Sequence, residues 1–356
     1  MNSRSRPKAT RILVRGANWI GDAVMSTPAL QRLRASFPDA HLTLLTTPLT
    51  CELFAGRQEL VDEVMPYNRK EGGWRTLWRM LPRIRDGRFD LAILFQNAFE
   101  AALLARLAGI PSRIGNATQG RSLLLTRRLH REAEHRNRHQ IWDYLDLVAA
   151  TEQVFLGDRF RPLEESPLPR LAVRSAETAA GERLLRGVDR PVVALNVGAT
   201  NSRAKCWPAG HFAELATRLA RSTGATMVLI GGPGEIDAAN AVARQASGTP
   251  LINLAGSTTL PELLGVLSLC ALVISNDTGP AHIAAALGRP TLTLFGPTNE
   301  FETAPTGPYA DLLRVDGIDC ARCMYRDCPI DHRCMTGLLV DTVYNRALEM
   351  LEAQER

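Results

Sequence analysis

At 356 residues the chain exceeds one core of ordinary size and predicts two domains. Hydrophobic residues make up 45% and charged residues 22%, a globular balance that excludes a disordered chain. The formal net charge of +5 suits an anionic substrate or surface, and no feature calls for a nucleic acid.

Met1 to Thr10 is polar and basic, without a secretory pattern. Ile12-Leu13-Val14 reads as the first strand, followed by the loop Gly16-Ala17-Asn18-Trp19-Ile20-Gly21-Asp22. A helix carrying Val24, Met25, Leu30, Leu33 and Phe37 comes next. Strands are expected at Leu42 to Leu45, Val61 to Met65 and Leu91 to Phe95, with helices at Trp74 to Ile84 and Phe99 to Leu107. Arg127, Arg128, His130, Arg131, His135, Arg136, Arg138 and His139 form a basic stretch. It reads either as a solvated loop or helix face or as a contact for phosphates and lipid headgroups.

Gly157 to Arg170 holds Pro162, Pro167 and Pro169 among charges and reads as an interdomain linker. Beyond it, strands are expected at Val192 to Asn196, Met227 to Ile230, Leu251-Ile252, Ala271 to Ile274 and Thr291 to Leu294. Helices are expected at Ala209 to Arg221, Ile236 to Gln245 and Leu260 to Leu267, and after Asp277. Val340, Val343, Ala347, Leu348 and Leu351 mark a final amphipathic helix. The longest apolar run, Leu263 to Ile274, is interrupted by Gly265 and Ser268 and is too short to span a bilayer. Strands alternating with helices imply parallel sheets covered on both faces. The expected domains are a Rossmann-like acceptor-side domain over 1–160, a linker over 161–175, a Rossmann-like domain over 176–335 and the helix over 336–356.

Ligands of such sheets sit beyond the carboxyl ends of the strands, so the loops leaving strands are the candidates. The first, Gly16 to Asp22, is spaced like a phosphate loop but has Asp22 where a P-loop places lysine. A carboxylate there suits proton abstraction from an acceptor hydroxyl, or simply caps the helix. The second loop, Asn196 to Pro208, offers Thr200 and Ser202 as hydroxyl donors and Arg203 or Lys205 as a cation for a leaving diphosphate. The third, Gly231-Gly232-Pro233-Gly234-Glu235, permits close backbone approach to a ligand, with Gly232 and Glu235 as candidates. A fourth, Ser275-Asn276-Asp277-Thr278-Gly279-Pro280-Ala281-His282, joins a buried strand to a helix that Asp277 or Thr278 can cap. Its free N–H groups would suit a phosphate.

Gly21-Asp22 with Thr27-Pro28-Ala29-Leu30, then Lys205-Cys206-Trp207-Pro208, then Asn276 to His282 with Phe295-Gly296-Pro297-Thr298, resemble the family 9 glycosyltransferases. These are the bacterial ADP-heptose:lipopolysaccharide heptosyltransferases, and the similarity runs in order over nearly the whole chain. The resemblance implies a GT-B fold, two Rossmann-like domains facing a central cleft. It also implies inverting transfer of heptose from ADP-heptose to a core oligosaccharide on lipid A, with a cytoplasmic location and any contact with the inner leaflet peripheral. Position by position, Asp22 matches the family's proposed general base and Lys205 the lysine near the donor phosphates. Asp277, Thr278 and Gly279 match the donor loop, and His282 stands next to it. Ala204-Lys205 before Trp207-Pro208 and the late cysteines look more like type II than type I. Cys206 stands where a basic residue is common.

No Asp-x-Asp triplet occurs, so metal-independent catalysis without a cofactor is expected. Cys320, Cys323, Cys328 and Cys334, with His332, read either as a zinc site of unusual spacing or as reduced thiols in a packed loop. A heptosyltransferase of type I- or III-like acceptor specificity is the alternative within the family, a sugar-nucleotide epimerase of the same fold has no motif support, and two other classes remain open. One is an aspartic protease through Asp277-Thr278-Gly279, which lacks a second copy of the triplet and the following hairpin. The other is a non-catalytic sugar-nucleotide receptor of the same fold.

Overall fold

The computed structural model describes residues 9–130, 137–157, 163, 167–200 and 202–354. The chain divides into two compact units, Met1–Pro167 and Leu168–Arg356.

The first unit holds β1 (Arg11–Arg15), α1 (Ile20–Met25), α2 (Thr27–Ser36), β2 (His41–Thr46), α3 (Pro48–Phe54), β3 (Glu63–Pro66), α4 (Arg69–Asp86), β4 (Leu91–Leu94), α5 (Phe99–Leu107), β5 (Ser112–Asn116), β6 (Arg127–Leu129) and α6 (Ile141–Phe155). Its six strands are parallel in the order β3-β2-β1-β4-β5-β6. Ile12-Leu13-Val14 of β1 and all of β4 are apolar and buried, as a parallel sheet covered on both faces requires. The single helix expected over Val24 to Phe37 is two, α1 and α2, meeting at Ser26. Pro28 lies in the first turn of α2, where its missing N–H has no helical partner to lose. β3 starts two residues later than expected, at Glu63. Part of the basic stretch is β6, an edge strand with Arg127 and Arg128 exposed. Arg131, His135 and Arg136 lie outside the described residues.

The second unit holds α7 (Ser175–Leu184), β7 (Val192–Asn196), α8 (Ala209–Thr223), β8 (Thr226–Ile230), α9 (Ile236–Gln245), β9 (Leu251–Asn253), α10 (Leu260–Ser268), β10 (Leu272–Asn276), α11 (Gly279–Ala286), β11 (Thr291–Phe295), α12 (Glu300–Thr303), β12 (Ala310–Arg314), α13 (Arg333–Thr336) and α14 (Val340–Glu352). Its strands are also parallel, in the order β12-β11-β10-β7-β8-β9. Counted from each unit's first strand, the two sheets share one order. In each, the strand direction of travel reverses between the first and fourth strands, β1/β4 and β7/β10. At that switch point the loops part and leave a crevice beyond the strand ends.

Helices α7 and α10 cross at Gly181 and Gly265. A Cβ on Gly265 would stand 1.9 Å from the Glu177 carbonyl oxygen, so only glycine admits this approach. α14 packs Val340, Val343, Ala347 and Met350 into the core that includes Val193 and Leu195. Among the described residues, no helix is long and apolar enough to cross a membrane.

Candidate functional site

Asp22 is the third residue of α1, whose N-cap is Trp19, so it is not the cap. The loop before it leaves β1 at the first unit's switch point. Buried polar side chains hold it there. Arg15 donates from Nη1 to the Gly16 and Leu45 carbonyls (2.8 and 3.1 Å) and from Nη2 to Asn18 Oδ1 at 3.1 Å. Thr46 Oγ1 donates to the Ala17 carbonyl at 2.6 Å. Burial lowers the Arg15 pKa, and the nearby Glu100 carboxylate offsets part of that. Glu100 itself accepts the Tyr67 hydroxyl. A Cβ on Gly16 would stand 2.8 Å from Leu44 Cδ1, so any larger residue there would push that side chain aside.

Gln140 precedes α6 and reaches Asp22 from 118 residues away, its Nε2 standing 3.3 Å from Asp22 Oδ1. The same amide nitrogen donates to Tyr144 Oη at 2.8 Å. Tyr144 packs on Phe95, at the end of β4, with ring centroids 5.1 Å apart. Burial, and then the Asp22 charge, push the Tyr144 phenol far above its ordinary pKa. It therefore stays protonated, a neutral neighbour for the carboxylate. Sequence reasoning missed Gln140 and Tyr144 because no local pattern links them to Asp22.

In the second unit, Lys205 leaves β7 in a short 3-10 turn (Arg203–Lys205). Its Nζ donates to Asp277 Oδ2 at 2.8 Å and to the Asp277 carbonyl at 3.1 Å. Thr298 Oγ1 donates to the same Oδ2 at 2.8 Å, and Asp277 is only 4% exposed. β7 and β10 are adjacent, so this pair stands at the second switch point. Asn196 and Asn276, the last residues of those strands, cross-link it. Asn196 Nδ2 donates to Ser275 Oγ (3.0 Å) and Thr278 Oγ1 (2.6 Å). Asn276 Nδ2 donates to the Val197 and Gly198 carbonyls (3.0 and 3.2 Å), and its Oδ1 accepts the Trp207 N–H at 3.0 Å. A rigid polar seam fixes where the ammonium points.

Thr278 occupies the N-cap of α11 but its side chain makes no capping bond, and Asp277 makes none either; the hydroxyl accepts from Asn196 instead. Gly279 begins the helix with Pro280 behind it, and His282 is buried in its first turn. Thr200 Oγ1 donates to Glu235 Oε1 at 3.2 Å. Glu235 accepts the Gly232 N–H at 2.7 Å and lies where a Cβ on Gly198 would be, 2.5 Å from its Cδ. These four residues thus form one cluster beyond β7 and β8. Ser202 Oγ is within 3.3 Å of the Tyr325 and Arg326 carbonyls, and Arg203 pairs with Asp327 at 2.7 Å with its side chain 88% exposed. Both face the segment before α13 rather than Lys205.

All seven cysteines are free thiols. Cys334 is raised in pKa by burial and then by the neighbouring Cys328, Cys323 and Cys320. Among the described residues, no three His, Cys, Asp or Glu side chains converge as a metal site would need.

The profile of the family described as Glycosyltransferase family 9 (heptosyltransferase) matches residues 76–333. Lipopolysaccharide heptosyltransferase 2 of Escherichia coli K12 is 31% identical over 320 residues, covering 86% of this chain and 88% of that protein. Lipopolysaccharide heptosyltransferase 2 of Salmonella typhimurium is 30% identical over 322 residues, covering 86% and 88%. The solved structure of E. coli ADP-heptose lipopolysaccharide heptosyltransferase II superposes with a TM-score of 0.80 at 26% identity, over 97% of this chain and 100% of that one. The two parallel α/β units are accordingly of the GT-B class. The chain belongs to glycosyltransferase family 9, the heptosyltransferase family.

Proposed function

We propose that the protein moves heptose from ADP-L-glycero-D-manno-heptose to the inner-core oligosaccharide of lipopolysaccharide, with inversion, without a metal or other cofactor, and with an acceptor choice like that of heptosyltransferase II. The observation that carries this reading is the Lys205–Asp277 pair, set at the switch point of the second unit in a family 9 chain. An ammonium held there by a buried carboxylate can stabilise charge growing on a departing diphosphate without rearranging during the reaction. Asp277 and Thr298 are positioning residues in this account. The N–H groups at Thr278 and Gly279, at the start of α11, suit the donor phosphates. Thr200, Gly232 and Glu235 suit the rest of the nucleotide sugar, with Ser202, Arg203 and His282 flanking it.

On the acceptor side Asp22 is the general base, taking the proton of the attacking hydroxyl. Gln140 aims it and the protonated Tyr144 supports its charge. The donor thus belongs to the domain over 176–335 and the acceptor to that over 1–160. Because the acceptor is lipid-borne, the enzyme works on the cytoplasmic face of the inner membrane, and its contact with the leaflet is peripheral.

The test is ADP release by purified protein given ADP-heptose and a heptose-terminated lipid A core, with and without EDTA. Release that requires the acceptor, survives chelation and disappears in Asp22→Asn is expected. Tight ADP-heptose binding with no transfer to any heptose-terminated acceptor would replace the enzyme with a receptor.

A further inference from the structure

Helix α4 has a face that the core does not use. A break at Gly73 (φ 56°) separates its first turn from the segment beginning at Trp74. Leu77, Met80, Leu81 and Ile84 fall at i, i+3, i+4, i+7 and are buried against the sheet. Beside this stripe two exposed rows run along the helix at four-residue spacing, the first flanking it and the second opposite it. One is Trp74, Trp78 and Pro82; the other is Arg75, Arg79 and Arg83, and all six are exposed. The tryptophans are 51% and 59% exposed. Single exposed apolar side chains are ordinary, but two indoles stacked one turn apart beside a cationic row are not needed for folding.

The charges on this face lack internal partners. Among the described residues Arg75, Arg79 and Arg83 make no ion pair, so their guanidinium groups remain available to an outside anion. Arg69 lies over the Trp74 ring at 4.8 Å. The acids of the element stand at its two ends: Glu71 is engaged by Asn68, and Asp86 closes the last turn. Pro82 removes the N–H that the Trp78 carbonyl would otherwise accept, so a polar group is left for water or headgroups.

We propose that this face of α4 docks the protein on an anionic lipid bilayer. Trp74 and Trp78 would lie at headgroup depth, and Arg75, Arg79 and Arg83 would meet lipid phosphates. Indoles prefer that boundary because the ring is apolar and its N–H is not. A helix already fixed to its core by Leu77, Met80, Leu81 and Ile84 can offer only its outer side, so it lies in the interface and does not cross it. Charge complementarity selects the occupant: a row of unpaired guanidinium groups repels a second copy of itself and attracts an anionic leaflet. The inference deepens the peripheral contact proposed above and rests on that reading of a lipid-borne acceptor.

The experiment is co-sedimentation of the full chain with phosphatidylcholine vesicles, with and without phosphatidylglycerol. Wild type, Trp74→Ser/Trp78→Ser and Arg75→Glu/Arg79→Glu/Arg83→Glu are compared, with circular dichroism to confirm folding. Wild type is expected to favour the anionic vesicles, with a blue shift of tryptophan emission that the double serine variant loses. The triple glutamate variant should lower partition by more than about 100-fold, since three surface cations at about 1 kcal/mol each account for that much and the new carboxylates add repulsion. Both variants should keep transfer to a soluble, deacylated acceptor and lose it on a membrane-embedded one. Equal partition of wild type and variants would overturn the proposal. So would a raised KM on the soluble acceptor, which would assign the face to the glycan, or self-association through this face without vesicle binding. If the transferase reading itself fails, no acceptor is used but the vesicle result stands.

Discussion

The two units share a strand order and put opposite chemistry at the same topological position. The segment after the first strand carries a carboxylate, Asp22 in the first turn of α1, in one unit and an ammonium, Lys205, in the other. Their partners differ in kind. Asp22 accepts from the amide of Gln140, which orients it. Lys205 meets the buried carboxylate of Asp277, which fixes a charge in place. The loops after the fifth strands differ in the same way. In the first unit, buried Arg121 donates to the Gln96, Ala98 and Asn116 carbonyls and to Asn97 Oδ1, with no carboxylate; burial lowers its pKa to about 10. In the second, the Glu300 carboxylate is held by Arg314 and Arg322. One topology therefore locates a crevice, and the side chains beside it decide which charge the crevice tolerates.

The largest effect should come from Asp22→Asn. Removing the proposed base is expected to lower kcat by about 10²–10⁴-fold, with ADP-heptose affinity measured by calorimetry unchanged. Weaker donor binding in that variant would erase the proposed division of labour between the units. Lys205→Gln should lower kcat by about 10²–10³-fold, as loss of one electrostatic stabiliser does. Thermal stability should fall with it, because Asp277 keeps only Thr298 as a side-chain partner. A kcat like wild type would remove Lys205 from the chemistry.

Stability against pH separates the fifth-strand loops. Burial acts to raise the Glu300 pKa, but the hydrogen bonds and charge of Arg322 and Arg314 overcome it and hold the carboxyl at about 2. A depressed carboxylate stabilises the fold above its unfolded value of about 4.3 and loses that contribution as pH falls toward 2, an effect of about 3 kcal/mol. Glu300→Gln should flatten this acid limb in denaturant titrations. Arg121→Met, which strands several buried acceptors, should cost about 3 kcal/mol with little change from pH 4 to pH 8. An acid-sensitive Arg121 variant would break the contrast. The smallest effect is expected from Gln140→Ala, about tenfold in kcat, since the base remains and only its orientation loosens.

Much of this was legible beforehand because the signals are local. Buried strands such as Val192–Asn196 and Leu272–Asn276 show as apolar runs, and helices such as Phe99–Leu107 show their period. α6 escaped, since 9 of its 15 residues are buried and its apolar positions form no clear stripe. β12 escaped as an edge strand of only half-buried residues. The break between α1 and α2 was marked by Pro28, but helical spacing continues across it.

By itself, the sequence determined the alternation of strands and helices, the loops that end at strand termini, and the residue types in them, because each depends on neighbours a few positions apart. Only the tertiary structure decided which of those residues meet. Lys205 finds Asp277 across 72 residues and Asp22 finds Gln140 across 118. It also turned two of four candidate polar residues in the β7 loop, Ser202 and Arg203, toward the segment before α13. Sheet order sets those encounters: strands separated by dozens of residues become neighbours when a parallel sheet closes, and no local pattern carries that information.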